Sequence, residues 1–245
     1  MGINWNRREF VAAVPGIVAG VSALASGQTG GGGQAVPWSA GTELPRLKVP
    51  PNATDCHHHI YDARFPNTPE ATLPAPDASI ADYRLLQKRL GTTRHVIVQQ
   101  SAYGIDNSCL IYALGRFGPE EARGIAVVNT SVTERELKDL HAVGVRGIRF
   151  NLSPPGTTTF QMITPLAKLV EPLGWHIQVN ASGDQIVESK ELWNRVPCPI
   201  VFDHLAQVPQ PAGINHPVFP LLIELLQKGK VWIKLTAPYQ VSKVG

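Results

Sequence analysis

The segment TDCHHHIYD, residues 54–62, places three consecutive histidines in what is predicted to be a β-strand. Side chains alternate along a strand, so His57 and His59, together with Asp55, are predicted to share one face. His58 is predicted to face the other way and to pack outside the sheet. Two imidazoles on one face can converge on a single ion or substrate oxygen, whereas a lone buried histidine is more often a hydrogen-bonded part of the core. The rest of the chain must show whether this face opens onto a pocket.

Short runs rich in valine and isoleucine recur from Thr54 onward. They are TDCHHHI (54–60), HVIVQQS (95–101), GIAVVN (124–129), GVRGIRF (144–150), HIQVN (176–180), PIVFDH (199–204) and VWIKLTA (231–237). Helix-like stretches lie between them, so that strand and helix alternate roughly every 25 to 30 residues, as in βα units of a parallel sheet. The pattern predicts a (β/α)8 TIM barrel with about seven strands present, and a doubly wound open sheet is the alternative. No G-x-G-x-x-G loop follows the first strand, which disfavours a dinucleotide-binding sheet.

Polar side chains cluster at the carboxyl ends of these predicted strands, where barrel enzymes hold their active sites. They are His57, His59, Gln99, Ser101, Tyr103, Arg149, Asn151, Gln178, Asn180, Asp203 and His204. Each would cost several kcal/mol if buried without a partner, and one shared polar pocket accounts for all of them. His176 follows Trp175 at the start of its strand, so we assign it to the barrel floor with a structural role.

These segments, in this order, resemble the amidohydrolase-2 branch of the amidohydrolase superfamily over about residues 53–240. Within that branch they are similar to the 2-pyrone-4,6-dicarboxylate hydrolases and related sugar lactonases. The resemblance implies a TIM barrel that opens a small carboxylated lactone with activated water. It also implies that His57, His59 and His204 are catalytic.

The residue types suit this reaction. Lactone opening requires water to attack a carbonyl carbon and requires stabilisation of the resulting oxyanion, which imidazoles supply directly or through a divalent ion. Arg149 offers a planar fork that matches a carboxylate, although pairing with a loop carboxylate is the alternative. The resemblance places Tyr103 near the substrate as well, and a half-buried structural aromatic is the alternative. The remaining predicted substrate-binding residues are Ser101, Asn151, Gln178 and Asn180.

Two possibilities stay open for a metal ion. Many members of the superfamily hold a divalent cation with the histidines of the first strand, and His57, His59 and His204 would then be the ligands of one zinc or manganese ion. The 2-pyrone-4,6-dicarboxylate hydrolases, in contrast, imply a site without a metal. Spacing in the sequence does not choose between them.

Residues 1–25 are predicted to be an export signal. Arg7 and Arg8 precede the small-residue run AAVPGIVAGVSALA, which ends at Ala25 and resembles a twin-arginine signal. The run is short for a membrane span. We expect a periplasmic protein with no stable membrane anchor after cleavage, and a Gly/Pro-rich linker over residues 26–52.

The end of the chain differs from the pattern of the family. The resemblance implies an aspartate after an eighth strand, in a G-x-D-W-P context, as the base that activates water, and no such segment follows VWIKLTA before Gly245. We therefore expect residues 53–245 to form a barrel that lacks the last βα unit. The alternatives to a lactone hydrolase are an inactive remnant that binds small carboxylates and a decarboxylase of aromatic acids.

Composition excludes other classes of function. The net charge is +3, and the lysines and arginines are scattered, so no nucleic-acid partner is expected. Cys56, Cys109 and Cys198 form no short-spaced metal motif and, being odd in number, no simple disulfide framework. The sequence makes no prediction of the oligomeric state.

Overall fold

A computed structural model describes residues 35–69, 71, 77–153 and 156–242. The predicted signal, residues 1–25, lies outside the described residues, as does the linker up to residue 34. From residue 35 to residue 53 the chain contains turns but neither helix nor strand. It lies against the first helix, where Arg89 donates from Nη1 to the carbonyl oxygen of Gly41 at 2.7 Å.

The prediction of a parallel sheet is confirmed. In the part of the chain that the structure describes, seven strands pair in parallel, each with its neighbour in the chain, in the order β1 to β7. The strands are β1 (Thr54–His58), β2 (Arg94–Val98), β3 (Ala122–Ala126), β4 (Val145–Asn151), β5 (His176–Asn180), β6 (Ile200–Phe202) and β7 (Val231–Ile233). The sheet curls into an incomplete barrel, so that Lys234, directly after β7, lies 3.5 Å from His57 on β1 (Nζ to Nδ1).

Within the described residues, seven α-helices connect these strands. They are α1 (Ile80–Leu90), α2 (Ser108–Phe117), α3 (Glu134–Ala142), α4 (Phe160–Val170), α5 (Gly183–Glu188), α6 (Lys190–Arg195) and α7 (Val218–Gln227). Capping boxes at Ser79, Thr133 and Ser182 begin α1, α3 and α5, because each side chain accepts from a backbone amide three residues on. Gly91 ends α1 with φ at 78°, a left-handed conformation that glycine adopts without strain.

The core lies between the sheet and the helices. One buried cluster includes Ile148, Ile177 and Phe202 from the strands and Ile163 and Leu166 from α4. All five side chains are at most 1% exposed. Burial of this kind stabilises by roughly 1.5–3 kcal/mol for each large apolar side chain. Of the helices in the described residues, none combines the length and the hydropathy needed to cross a membrane.

A β-bulge in β1 changes which side chains face the barrel interior. The pairing register runs from Asp55 opposite His95 to His58 opposite Ile97, so three steps along β1 match two along β2. Asp55 therefore leaves the face that strict alternation would give it, and its Oδ2 accepts from the hydroxyl of Tyr83 on α1 at 3.1 Å. His57 and His59 therefore face the barrel interior, and Asp55 does not share that face with them.

His58 lies outside the sheet with a second buried histidine. Its ring stacks on Tyr83 with centroids 3.5 Å apart, and its Nε2 lies 2.8 Å from Nδ1 of His95. This hydrogen bond needs an N–H on one ring nitrogen and a lone pair on the other, which two neutral imidazoles supply. Burial lowers the pKa of His58 well below its usual range and lowers that of His95 from 6.5 to about 4.

This pair predicts a loss of stability in acid. Because the pKa of folded His95 lies below the unfolded value, its contribution to stability is complete above pH 6.5 and is lost as the pH falls from 6.5 towards 4. We expect the free energy of unfolding in urea to fall less over this interval in His95→Gln than in the wild type. The control is His141→Asn, which removes a histidine that does not belong to the His58–His95 pair. Asparagine keeps an acceptor for Trp175 Nε1 there. An equal fall in all three proteins would contradict the assignment.

Candidate active site

Three histidines meet inside the barrel at the carboxyl ends of β1 and β6. The ring of His57 lies 4.8 Å from that of His204 and 5.2 Å from that of His59, measured between centroids. Bringing residue 204 to residue 57 requires the curl of the sheet. The structure thus places the predicted catalytic histidines together.

Asp203 is the centre of a buried polar network beside these histidines. Its Oδ2 accepts from Arg149 Nε at 3.1 Å and from Gln178 Nε2 at 3.0 Å. Its Oδ1 lies 3.4 Å from His57 Nδ1 and 4.0 Å from Lys234 Nζ. Burial alone would raise the pKa of this carboxyl, but the charge of Arg149, with His57 and Lys234, lowers it well below its usual range. The carboxylate is therefore ionised and faces two buried cations.

Lys234 is the network member for which the sequence analysis assigned no role. Its side chain is 9% exposed, and its ammonium donates to Gln178 Oε1 at 2.7 Å. Burial lowers the pKa of Lys234. A lysine directly after the apolar run VWI is the sequence signal that could have found it, because a strand in a closed sheet has an interior face there.

Contacts of the ring nitrogens constrain the tautomers of the histidines. His59 Nδ1 lies 2.8 Å from the carbonyl oxygen of Val98, which can only accept, so Nδ1 carries the proton and Nε2 the lone pair. In His57, Nδ1 lies 3.4 Å from Asp203 Oδ1, which would accept its proton, and 3.5 Å from Lys234 Nζ, which can only donate to its lone pair, so these two contacts favour opposite tautomers. The buried Nε2 of His57 has no hydrogen-bond partner among the described residues. In the tautomer with the proton on Nδ1, towards Asp203, the lone pair of Nε2 is available for a ligand.

All three imidazoles are neutral at pH 7. Burial lowers the pKa of His57 despite the opposing effect of Asp203. Burial also lowers the pKa of His204 to about 4, and burial together with the charge of Arg149 lowers that of His59 to about 3. Neutral imidazoles can accept a proton from water or donate a lone pair to a metal ion.

Amide side chains form a second polar group at the carboxyl ends of β4 and β5. Asn151 at the end of β4 donates from Nδ2 to Ser101 Oγ at 2.9 Å, and Asn180 at the end of β5 donates from Nδ2 to Asn151 Oδ1 at 2.6 Å. Gln207, which the sequence analysis did not single out, donates from Nε2 to Asn180 Oδ1 at 2.5 Å. The structure therefore joins the predicted residues Ser101, Asn151 and Asn180, and places Gln178 deeper, beside Asp203.

Tyr103 lies apart from this group. It is 2% exposed, and its hydroxyl accepts from the backbone N–H of Asp62 at 3.0 Å and donates to the carbonyl oxygen of the same residue at 3.2 Å. These contacts hold the loop that follows β1. Its predicted place beside the substrate therefore stays a prediction.

His176 begins β5 and packs against Gly147, where an added Cβ would lie 2.8 Å from the His176 carbonyl oxygen.

The backbone after β6 forms a left-handed turn. His204, Leu205, Ala206 and Gln207 have φ angles of 50°, 57°, 53° and 44°. A left-handed conformation costs roughly 1–2 kcal/mol for each residue with a side chain. Hydrogen bonds from Leu205 N to Lys234 O and from Ala206 N to Asp203 O, both 2.9 Å, hold the turn. Strain of this kind persists where the surrounding structure over-determines it, often at functional sites.

One group of side chains in the described residues could hold a metal ion. His57, Asp203 and His204 each offer an atom, and these atoms lie within 4.8 Å of one another. The group contains Asp203 in place of His59, which the resemblance had suggested. Two imidazoles and a carboxylate are a donor set that suits zinc or manganese, and the unpartnered Nε2 of His57 fits a ligand role.

Comparison with known proteins gives consistent results. A family model described as Amidohydrolase, Amidohydro_2, matches residues 54–244. The 2-pyrone-4,6-dicarboxylate hydrolase of Comamonas testosteroni is 31% identical over 213 residues, which cover 85% of this chain and 70% of that protein. The 4-sulfomuconolactone hydrolase of Rhizobium radiobacter is 33% identical over 202 residues, which cover 80% of this chain and 67% of that protein.

A solved structure has the same fold. The crystal structure of a probable 2-pyrone-4,6-dicarboxylic acid hydrolase from Acinetobacter baumannii, with citric acid bound, superimposes with a TM-score of 0.70 at 26% sequence identity. The match covers 78% of this chain and 72% of that one.

Proposed function

Because the chain belongs to the amidohydrolase-2 family, we propose that it is a hydrolase that opens a small carboxylated lactone by attack of water. The observation that carries the proposal is the meeting of His57, His59 and His204, all neutral, with the buried guanidinium of Arg149 nearby. Neutral imidazoles supply bases and a cation supplies charge stabilisation, and the attack of water on an ester carbonyl needs both. The two curated relatives are named as hydrolases of lactones.

His57 is the proposed base. Asp203 Oδ1 faces its Nδ1 at 3.4 Å, which orients the ring and stabilises the imidazolium that forms when Nε2 takes a proton from water. The water oxygen then bonds to the carbonyl carbon of the lactone. Collapse of the tetrahedral intermediate breaks the bond to the ring oxygen, which receives the proton from His57. The product is the hydroxy acid, and no other reactant is consumed.

Arg149 and Lys234 set the charge of the pocket. Together they carry two positive charges against the single negative charge of Asp203, and the histidines are neutral. Among the described residues, Arg149 has a hydrogen-bond partner only at its Nε, so its terminal nitrogens can bind an anionic oxygen. A net positive, largely buried pocket favours a substrate that carries a carboxylate.

As the alternative to His57 acting as the base, we propose that His57, Asp203 and His204 hold one divalent ion, zinc or manganese, with His57 then serving as a ligand. A bound ion of this kind lowers the pKa of water and polarises a carbonyl. Metal analysis of the purified protein should find about one ion per chain, and Asp203→Asn should retain less. Equal metal content in wild type and variant would contradict this ligand set, whatever the activity.

Hydrolysis itself is tested with purified protein and three lactones: 2-pyrone-4,6-dicarboxylate, 4-sulfomuconolactone and an aldonolactone. Titration of the acid released at constant pH measures ring opening of each. The proposal expects turnover of at least one carboxylated lactone, inhibited by citrate. Turnover of none of the three would contradict it.

We propose further that the protein is exported through Arg7 and Arg8, on the sequence pattern alone. Replacing both by lysine keeps their charge and removes the paired guanidinium groups. The variant should accumulate uncleaved in the cytoplasm, whereas the wild type should be recovered from the periplasm. The same distribution of both proteins would contradict the proposal.

A further inference from the structure

We propose that Gln207 is a positioning residue that makes Ser101 a hydrogen-bond donor to an acceptor oxygen of the bound substrate. The inference rests on the proposed function for the identity of the ligand. A chain of hydrogen bonds between side-chain amides shows which group donates and which accepts at each step. The chain runs Gln207, Asn180, Asn151, Ser101 and joins the turn after β6, the ends of β5 and β4, and the segment after β2.

Two neighbours, the carbonyl oxygen of Ser153 and the side chain of Gln207, together hold Asn180 in one orientation. Asn180 Nδ2 donates to the carbonyl oxygen of Ser153 at 3.2 Å as well as to Asn151 Oδ1. A carbonyl oxygen can only accept, so the side of Asn180 that faces Ser153 must be its NH2 group. Its Oδ1 therefore faces Gln207, and Gln207 must present its own NH2 group to it.

The same reasoning continues to the other end. Since Asn180 presents its NH2 group to Asn151, Asn151 must accept with Oδ1 and present its own NH2 group to Ser101. Ser101 Oγ thus accepts from Asn151, and its own proton has no acceptor among the described residues. Ser101 is exposed, so this proton is available to a ligand. A hydroxyl can otherwise rotate to donate or accept, and the chain removes that choice.

Gln207 also links this chain to the proposed chemistry. It closes the left-handed turn that begins at His204, whose Nδ1 lies 3.0 Å from Thr236 Oγ1. Gly183 on α5 makes the close approach of this turn possible, because a Cβ there would meet Pro209 Cδ at 2.8 Å and the Gln207 carbonyl oxygen at 3.3 Å. One strained turn therefore holds a candidate catalytic imidazole at its start and the first donor of the amide chain at its end.

Gln207→Glu tests the direction with almost no change of shape. A carboxylate cannot donate to Asn180 Oδ1, and it repels this oxygen. Turning Asn180 over replaces that repulsion by a charge-assisted hydrogen bond, which outweighs the loss of the 3.2 Å hydrogen bond to the Ser153 carbonyl oxygen. Asn151 then turns over as well, and Ser101 donates to Asn151 instead of to the ligand. We expect the KM for the lactone and the Kd for citrate, measured by calorimetry, to rise about tenfold, with kcat within about threefold of the wild type. Gln207→Met, which breaks the chain without adding charge, should show a smaller rise.

Making the same Gln207→Glu substitution in a Ser101→Ala protein separates loss of the Ser101 donor from simple charge repulsion between the new carboxylate and the ligand. In Ser101→Ala the terminal donor is absent, so adding Gln207→Glu should change KM and citrate Kd by less than about twofold. Gln185→Glu adds the same charge near Leu152 and keeps its capping acceptor for Ser182, and should have no effect. An equal factor in both backgrounds, or no factor in either, would overturn the inference.

Citrate binding keeps this test distinct from that of the proposed function. A protein that turns over no lactone but shows the expected pattern of citrate Kd values would contradict the hydrolase and support the directed chain. A wild-type protein that neither turns over a lactone nor binds citrate would overturn both.

Discussion

Replacing His57 by alanine is expected to lower kcat/KM for lactone opening by about a thousandfold, because a positioned general base contributes roughly 10²–10⁴ to the rate. The side chain takes the proton of the attacking water through Nε2, and alanine leaves Asp203 with no ring to orient. The measurement is the initial rate of acid release with a carboxylated lactone at saturating and limiting concentrations. Loss in kcat as well as in kcat/KM would place the effect in the transition state.

The neighbouring histidine provides a matched control. His58 differs from His57 by one position, but it stacks on Tyr83 on the helix side of the sheet. His58→Gln should retain kcat/KM within about threefold while it remains folded, because the His58 ring packs against Tyr83 and His95 on the helix side of the sheet. If His57→Ala also stays within about threefold, or roughly 0.65 kcal/mol or less in transition-state free energy, the assigned role of His57 is wrong.

Replacing Asp203 by asparagine is expected to destabilise the fold by about 3–5 kcal/mol and to abolish activity. The carboxylate is fully buried, and its loss leaves the charges of Arg149 and Lys234, 5% and 9% exposed, without a counter-charge. Removal of one partner from a buried ion pair costs about this much because the remaining charge stays desolvated. Urea unfolding at pH 7 measures the change directly.

Two further variants identify the cause. Asp203→Asn combined with Lys234→Met removes one of the uncompensated charges and should recover part of the lost stability. Asp184→Asn removes an acid that is 75% exposed and pairs with His216, and should change the free energy of unfolding by less than about 0.5 kcal/mol. A loss below about 1 kcal/mol in Asp203→Asn would mean that the network does not depend on its carboxylate.

Strand order and the position of the pocket could be predicted because both follow from local patterns. Alternating runs of valine and isoleucine indicate parallel strands, and polar residues at the ends of such strands indicate the carboxyl edge of the sheet. The structure confirms the seven parallel strands and an incomplete barrel. It also brings His57 and His204 together across 147 positions of sequence (204 − 57 = 147), which depends only on the sheet curling as the fold class requires.

Contacts that depend on exact register could not be predicted. Strict alternation puts Asp55 on the face of His57, and a single bulge moves it to Tyr83. Nothing in the segment TDCHHHIYD marks that extra residue. Asp203 was visible at a strand end, but its role as the shared partner of Arg149, Gln178 and Lys234 needs four strands, β4 to β7, in their final positions.

Gln207 was hidden for a different reason. Its side chain reaches Asn180 because the four residues from His204 adopt positive φ angles without any glycine. Sequence patterns predict such a conformation mainly where glycine or asparagine occurs. A strained turn held by tertiary contacts therefore leaves no local signal.

The most direct test of the account is hydrolysis of a carboxylated lactone by the purified protein in H₂¹⁸O. Attack of water at the carbonyl carbon predicts product with one ¹⁸O atom in the new carboxylate and none in the released hydroxyl, and predicts that His57→Ala slows its formation about a thousandfold. Label in the hydroxyl would show that the ring bond to the alkyl carbon is the one cleaved. That result, or the absence of any labelled product from the three lactones, would contradict the proposed active site.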